Sequence, residues 1–183
     1  MIICVTGMPG AGKSTVATAI SKLGFASVNM GDVIREQAEK RGLPVNEENL
    51  GKVMLELREK KGLGAVAELC LPRIDSSRSK RVVVDGARSF DEVKVFQRIA
   101  EVKVLAVHAS QKTRYLYLTK RRRTDAPLSW ESFLARDQRE LQVGLSNIIA
   151  LSDEVISNNG ITLKELKSKA MGIAKKWTDS VES

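Results

Sequence analysis

The sequence predicts an α/β protein built on a parallel sheet with helices packed on both faces. Two observations carry that expectation. Five short apolar runs rich in β-branched residues alternate with segments of helical spacing, and a glycine-rich stretch joins the first run directly to the first helix. A chain of 183 residues is long enough to bury one sizeable core, so residues 1–183 are expected to form a single domain.

The elements follow in order. The first strand is Ile2–Thr6, the glycine-rich stretch comes next, and a helix covers 14–23. A second strand spans 25–29. Residues 35–74 exceed what a simple crossover needs. Their apolar positions recur at helical intervals, with breaks at Gly42-Leu43-Pro44 and Gly62-Leu63-Gly64, so they read as a helical insert. The third strand, 81–85, leads into a helix over 90–100 and a fourth strand, Val102–His108. Residues 115–150 read as a basic helix, a break at 124–129 and a second helix. Ser129 is placed to cap that helix, with Ser132 at the capping-box position. A fifth strand, Glu154–Ser157, precedes the closing segment.

Composition narrows the class. With 43% apolar and 28% charged residues the chain matches ordinary globular proteins rather than disordered or fibrous ones. No apolar run reaches the roughly 18 residues that span a bilayer, and the opening residues lack the basic and long apolar regions of a signal peptide. A cytoplasmic protein without membrane contact is therefore expected. Cys4 and Cys70 are too few and too far apart for a zinc site and read as reduced, buried small hydrophobes. The net charge of +8 suits phosphate-bearing partners, whether nucleotides or nucleic acid.

Gly7-Met8-Pro9-Gly10-Ala11-Gly12-Lys13-Ser14 fits the pattern G-x-x-x-x-G-K-[ST], after a strand and at the start of a helix. Glycines let successive backbone N–H groups turn inward as an anion nest, and the helix N-terminus adds partial positive charge. The expected phosphate cradle is Gly7 to Ser14 together with Thr15. Lys13 would reach the β- and γ-phosphates, and the Ser14 hydroxyl would hold Mg²⁺.

Acids and arginines recur at the strand ends. Asp32 and Arg35 lie three apart at the start of a helix, and Asp85 and Arg88 lie three apart after the third strand. An arginine at each of two strand ends suits a second anionic group opposite the nucleotide, so Arg35, Asp85 and Arg88 are candidate acceptor residues. A cap for Asp32 and surface ion pairs for the arginines are the plainer alternatives.

These residues carry a resemblance. The segment MGDVIRE, 30–36, is similar to the G-D-x-x-R segment of adenylate kinases, and VVVDGARS, 82–89, resembles their strand-end D-G-x-x-R, whose arginine holds the acceptor phosphate. LSDEVISNNGITLKELKSKA, 151–170, is similar to the closing strand and helix of dephospho-coenzyme A kinases. Across its whole length the chain resembles an adenylate-kinase-related branch of the P-loop kinases. The resemblance implies a P-loop NTPase fold with a five-stranded parallel sheet in the order 2-3-1-4-5. It also implies a helical acceptor-binding insert at 35–74, a short lid at 120–136, and the use of ATP with Mg²⁺. Two departures qualify it. Arg88 is three residues past Asp85 rather than four, and Glu92 takes the offset of the glutamine that reads the AMP base. A carboxylate accepts hydrogen bonds but cannot donate them as an amide does, which speaks against AMP. A first-turn helix position is the plainer reading of Glu92.

Phosphoryl transfer needs arginines that close over the transferred group. Arg121-Arg122-Arg123 precede the break, and Arg136 and Arg139 follow it. The resemblance assigns the lid role to Arg121, Arg123 and Arg136; Arg122 reads as a solvated face. A phosphate acceptor requires no general base, whereas a hydroxyl acceptor would give its proton to Asp32. Asp32 or Asp85 would reach Mg²⁺ through water. His108, the sole histidine, reads as structural, and Asn158 and Asn159 either border the donor base or form a turn.

The expected function is an ATP-dependent phosphotransferase acting on a nucleoside monophosphate, a nucleoside or a dephospho-coenzyme A type acceptor, as a monomer or homodimer. The alternative is an NTPase switch that binds a protein. A nucleic-acid enzyme is favoured by charge alone, since aromatics at 4% offer few stacking platforms.

Overall fold

The computed structural model describes residues 1–120 and 127–179. Its elements are β1 (Ile2–Thr6), α1 (Lys13–Ser21), β2 (Ala26–Asn29), α2 (Met30–Glu39), α3 (Glu47–Lys61), α4 (Ala65–Ser76) and β3 (Val82–Ala87). They continue with α5 (Phe90–Gln97), β4 (Val102–His108), α6 (Gln111–Lys120), α7 (Trp130–Gln142), α8 (Leu145–Ala150), β5 (Glu154–Ser157) and α9 (Leu163–Asp179). Among the described residues the strands form one parallel sheet in the order β2-β3-β1-β4-β5, as the resemblance implied.

Period-two alternation in β1 divides the interior. Ile2 and Cys4 face one core, packed by residues of α2, α3, α4, α5 and α8; Ile3 and Val5 face the other, packed by α1 and α9. Every residue of β1 is buried, so the strand reads as a continuous apolar run. Both cysteines are free and buried, and burial pushes both thiols up, that of Cys70 to about 12.

Several boundaries differ from the sequence reading. β3 runs two residues past Asp85, because the register against β1 slips between Val5 and Thr6 and lets the ladder continue around Gly86. The predicted second helix of the lid is two helices, since Gly144 turns the chain with φ 95 between α7 and α8. The capping box appears as expected: Ser129 Oγ accepts from Ser132 N, and Ser129 N donates to Ser132 Oγ. Residues 121–126, within the predicted lid, lie outside the described residues, and so do Arg121 and Arg123.

This order places β1 between β3 and β4. Ligands of open α/β sheets bind beyond the carboxyl ends of the strands where the strand order reverses, and the β1–α1 loop leaves the sheet at that point.

Candidate active site

The loop of residues 7–12 is shaped by what surrounds it. Gly7 has φ 140, and a Cβ there would lie 2.2 Å from the carbonyl oxygen of Val107 on β4; at Gly12, φ 110, it would lie 2.7 Å from Asn158 Nδ2. Neither position tolerates a side chain, which lets bare backbone close over an anion. No described side chain caps α1, so its N-terminus is left for such a ligand. The loop is braced from outside. Asn158, buried after β5, donates from Nδ2 to Ala11 O at 2.9 Å, and Arg114 on α6 donates from Nη1 to Pro9 O at 3.1 Å. Asn158 thereby serves the loop backbone, while Asn159 accepts from Ser110 N at 2.9 Å.

Lys13 folds back over the loop, its Nζ donating to Gly7 O at 2.8 Å and Met8 O at 3.1 Å. Burial lowers its pKa to about 8, and the fields of Asp85 and Glu140 oppose those of Arg88 and Arg136. The structure thus brings four charged groups from β3, the loop after it and α7 around one lysine. Ser14 and Thr15 follow on the half-buried first turn of α1.

Asp85 is buried near the end of β3, where Asn29 Nδ2 donates to it at 3.2 Å. The Asn29 oxygen also caps α2 by accepting from Gly31 N and Asp32 N, so one amide ties β2, β3 and α2 together. Arg88 donates from Nε to Glu140 Oε2 at 2.7 Å and from Nη1 to Gly86 O at 3.1 Å. Burial alone would push the Glu140 carboxyl up, but Arg88, Lys13 and Arg136 hold it below the usual carboxylate range. Glu92 is fully buried beneath this loop. One oxygen accepts from Arg58 Nη2 at 2.5 Å and the other from Arg88 N at 2.7 Å. It is a support for Arg88.

A cavity of about 100 Å³ opens between α2, α3 and α7, and Arg88, Arg136 and Glu140, whose fields act on Lys13, are in its lining. Ile34, Leu50 and Met54 form its apolar wall. Its polar wall holds Arg35, Arg88, Arg136 and Arg139 with Glu47 and Glu140. Arg35 pairs with Asp32, and Arg139 pairs with Glu47. Asp32 itself is exposed and lines a separate hollow with Asn29, Glu36 and Arg73. His108 is exposed at the end of β4. Of the residues that sequence reasoning missed, Asn29, Glu47, Arg58, Arg114 and Glu140 are partners of those it found, and Asp137 is the partner of Arg114.

The α6–α7 pair is locked to the loop by Arg114, whose guanidinium makes a buried two-pronged pair with Asp137 at 2.8 and 2.5 Å and lies 4.9 Å from the centre of the Phe133 ring. This fixes the helix that carries Arg136, Arg139 and Glu140 against the loop.

A glycine nest, a folded-back lysine and a hydroxyl at a helix N-terminus, set on this sheet, define a P-loop protein with a kinase-type fold. The AAA domain family model matches residues 6–133. The chain belongs to the UPF0200 family: the UPF0200 protein of Pyrococcus abyssi is 49% identical over 164 residues, covering 87% of this chain and 88% of that protein. Among solved structures, a protein of Thermus thermophilus superposes with TM-score 0.65 and 22% identity, covering 96% of this chain and 97% of that one. The shikimate kinase of Bacteroides thetaiotaomicron superposes with TM-score 0.62 and 13% identity, covering 96% and 98%. At such identities these two likenesses speak for the fold. No helix among the described residues is long and apolar enough to cross a membrane.

Proposed function

We propose that the protein is an ATP-dependent phosphotransferase that moves the γ-phosphoryl group onto a small anionic acceptor held between α2, α3 and α7. One observation carries the reading: Arg88, Arg136 and Glu140 line the cavity and also act electrostatically on Lys13. A donor phosphate on Lys13 and an acceptor in the cavity would therefore share one charged centre, which is what transfer with little covalent chemistry requires.

In this reading the backbone of residues 7–15 holds the triphosphate and Lys13 follows the γ-phosphate. Arg88 and Arg136 hold the acceptor side, with Arg35 at the cavity wall. Arg121 and Arg123 keep the proposed role of closing arginines. Ser14 and Asp85 offer hard oxygen donors beside Lys13, a set that suits Mg²⁺ held mainly through phosphate and water. When bound, the ion would neutralise charge on the β- and γ-oxygens. Asp85 fits that role better than Asp32, which lines the outer hollow. A hydroxyl acceptor has Glu47 and Glu140 as the carboxylates in the cavity wall, whereas a phosphate acceptor needs no base.

The size of the cavity favours a small acceptor or the anionic end of a larger one. At roughly 30 Å³ per water it has room for about three waters. The test is release of ADP from ATP and Mg²⁺ against a panel of nucleoside monophosphates, nucleosides, dephospho-coenzyme A and small hydroxy acids including shikimate. Strong stimulation by one acceptor supports the reading. ATP binding without stimulation by any of them favours a nucleotide-dependent switch instead.

A further inference from the structure

We propose that Glu47 is a specificity-determining residue of the cavity: its carboxylate holds Arg139, and an acceptor enters fully only if it carries an anionic group that takes Arg139 over. The inference rests on the acceptor reading above and adds the residue that screens for charge.

The three assigned arginine pairs of the cavity differ in how they could yield to a ligand. Arg35 is paired with Asp32, which sits in the outer hollow. Arg88 is paired with Glu140, whose side chain is 8% exposed and held by several cations at once. Glu47 differs from Asp32 in lining the cavity and from Glu140 in being partly exposed. It lines the cavity itself, its side chain is 24% exposed, and its partner lies 92 residues away on another helix. The contact is prepared from both sides. A Cβ on Gly51, one turn along α3, would lie 3.0 Å from Arg139 Nη1, so the glycine leaves room for the guanidinium beside Glu47.

Physical chemistry favours exchange at this pair. A partly exposed ion pair is worth only about 0–1 kcal/mol, whereas a phosphate or carboxylate can meet the planar guanidinium with two charge-assisted hydrogen bonds. Glu47 is also the first residue of α3, whose N-cap is Asn46. Released from Arg139, its carboxylate remains favoured by the helix N-terminus and by water. A neutral polyol offers Arg139 only uncharged acceptors, weaker than the Glu47 carboxylate, and leaves the pair between α3 and α7 in place. An anion breaks that pair and completes the arginine set.

The test is calorimetric titration of inorganic phosphate into protein whose P-loop is saturated with a non-hydrolysable ATP analogue and Mg²⁺, which leaves the cavity as the site measured. Glu47→Gln and Glu47→Ala are each expected to tighten phosphate binding by about two- to fivefold, the range set by an ion pair worth up to about 1 kcal/mol. Arg139→Gln is expected to weaken it, and adding Glu47→Gln to that variant is expected to bring no gain. If Arg88→Gln weakens phosphate binding while both Glu47 variants leave it unchanged or weaker, the screening role is overturned and the acceptor reading stands. If wild-type protein binds no phosphate, or if Arg88→Gln and Arg139→Gln both leave binding unchanged, the acceptor reading fails and this inference fails with it.

Discussion

Lys13 is the residue whose chemistry the surroundings alter most usefully. Its pKa of about 8, lowered chiefly by burial, means that near pH 8.5 much of the empty protein holds a neutral lysine. A bound triphosphate favours the charged form, so binding must draw a proton from solution in the window between about 8 and the ordinary value near 10.5. Calorimetry at pH 8.5 in two buffers of different ionisation enthalpy is expected to show net proton uptake on ATP binding. Lys13→Ala should abolish both that uptake and phosphoryl transfer while leaving the fold intact; uptake of the same size in the variant would place the titrating group elsewhere. The same lowered pKa makes Lys13's contribution to the stability of the empty protein rise as pH rises from 8 to 10.5, because the unfolded chain binds more protons there. Arg88 makes a second prediction at this scale. Arg88→Ala should lower kcat/KM for the acceptor by roughly a hundredfold with little change in ATP affinity. Arg88→Lys should recover little, since an ammonium cannot reproduce the Nε contact to Glu140 and the Nη1 contact to Gly86 together.

At the scale of elements, the loop that carries Arg88 stands on a buried pair between α3 and α5. Glu92 accepts from Arg58 with one oxygen and from Arg88 N with the other, while Arg58 Nε and Nη1 are buried without a hydrogen-bond partner among the described residues. Removing only the cation leaves a carboxylate in an apolar core, which costs about 3–5 kcal/mol. Arg58→Met should therefore lower stability in urea by that amount, and Arg58→Met with Glu92→Met should be less destabilised than Arg58→Met alone. A double variant weaker than the single one would show that the Glu92–Arg88 contact dominates. This arrangement also explains what the sequence disclosed and what it withheld. The ends of β1, β4 and β5 coincide with the apolar runs, and Gly7 to Ser14 declared itself by local pattern, because strand burial and an anion nest are both set by neighbours in the chain. Glu92 is the first-turn acid of α5 that its position suggested, but its pairing with Arg58 was not legible, and Glu140 and Asp137 were hidden in the mixed charges of Arg136-Asp137-Gln138-Arg139-Glu140. Their spacing of three puts both acids on one side of a helix, a signal that was present. Which arginine each would meet depends on how α7 packs, and no local pattern encodes that.

At the scale of the whole molecule, the question is whether the P-loop sheet, the helices α2 to α4 and the α6–α7 pair fold as one unit. The first core argues that they do, since residues of β1, β3 and β4 share it with α2, α3, α4, α5 and α8. The α6–α7 pair is tied in separately, by the buried Arg114–Asp137 pair and by the bond from Arg114 to Pro9 in the loop. Two tryptophans report on the two ends of this construction. Trp130 opens α7 and packs 5.1 Å, centre to centre, from both Tyr115 and Phe133, whereas Trp177 is buried on α9 in the second core. Trp130→Phe leaves fluorescence from the sheet side and Trp177→Phe leaves it from the α6–α7 side. In each variant the urea transition followed by fluorescence is expected to coincide with that followed by far-ultraviolet circular dichroism, as a single cooperative domain requires. Should Trp130 fluorescence change at lower urea than the dichroism of the same variant, α6 and α7 would be a separate unit that opens first. The acceptor cavity would then be assembled by a movable wall, because Arg136, Arg139 and Glu140 would leave it while Arg88 and the P-loop stayed in place.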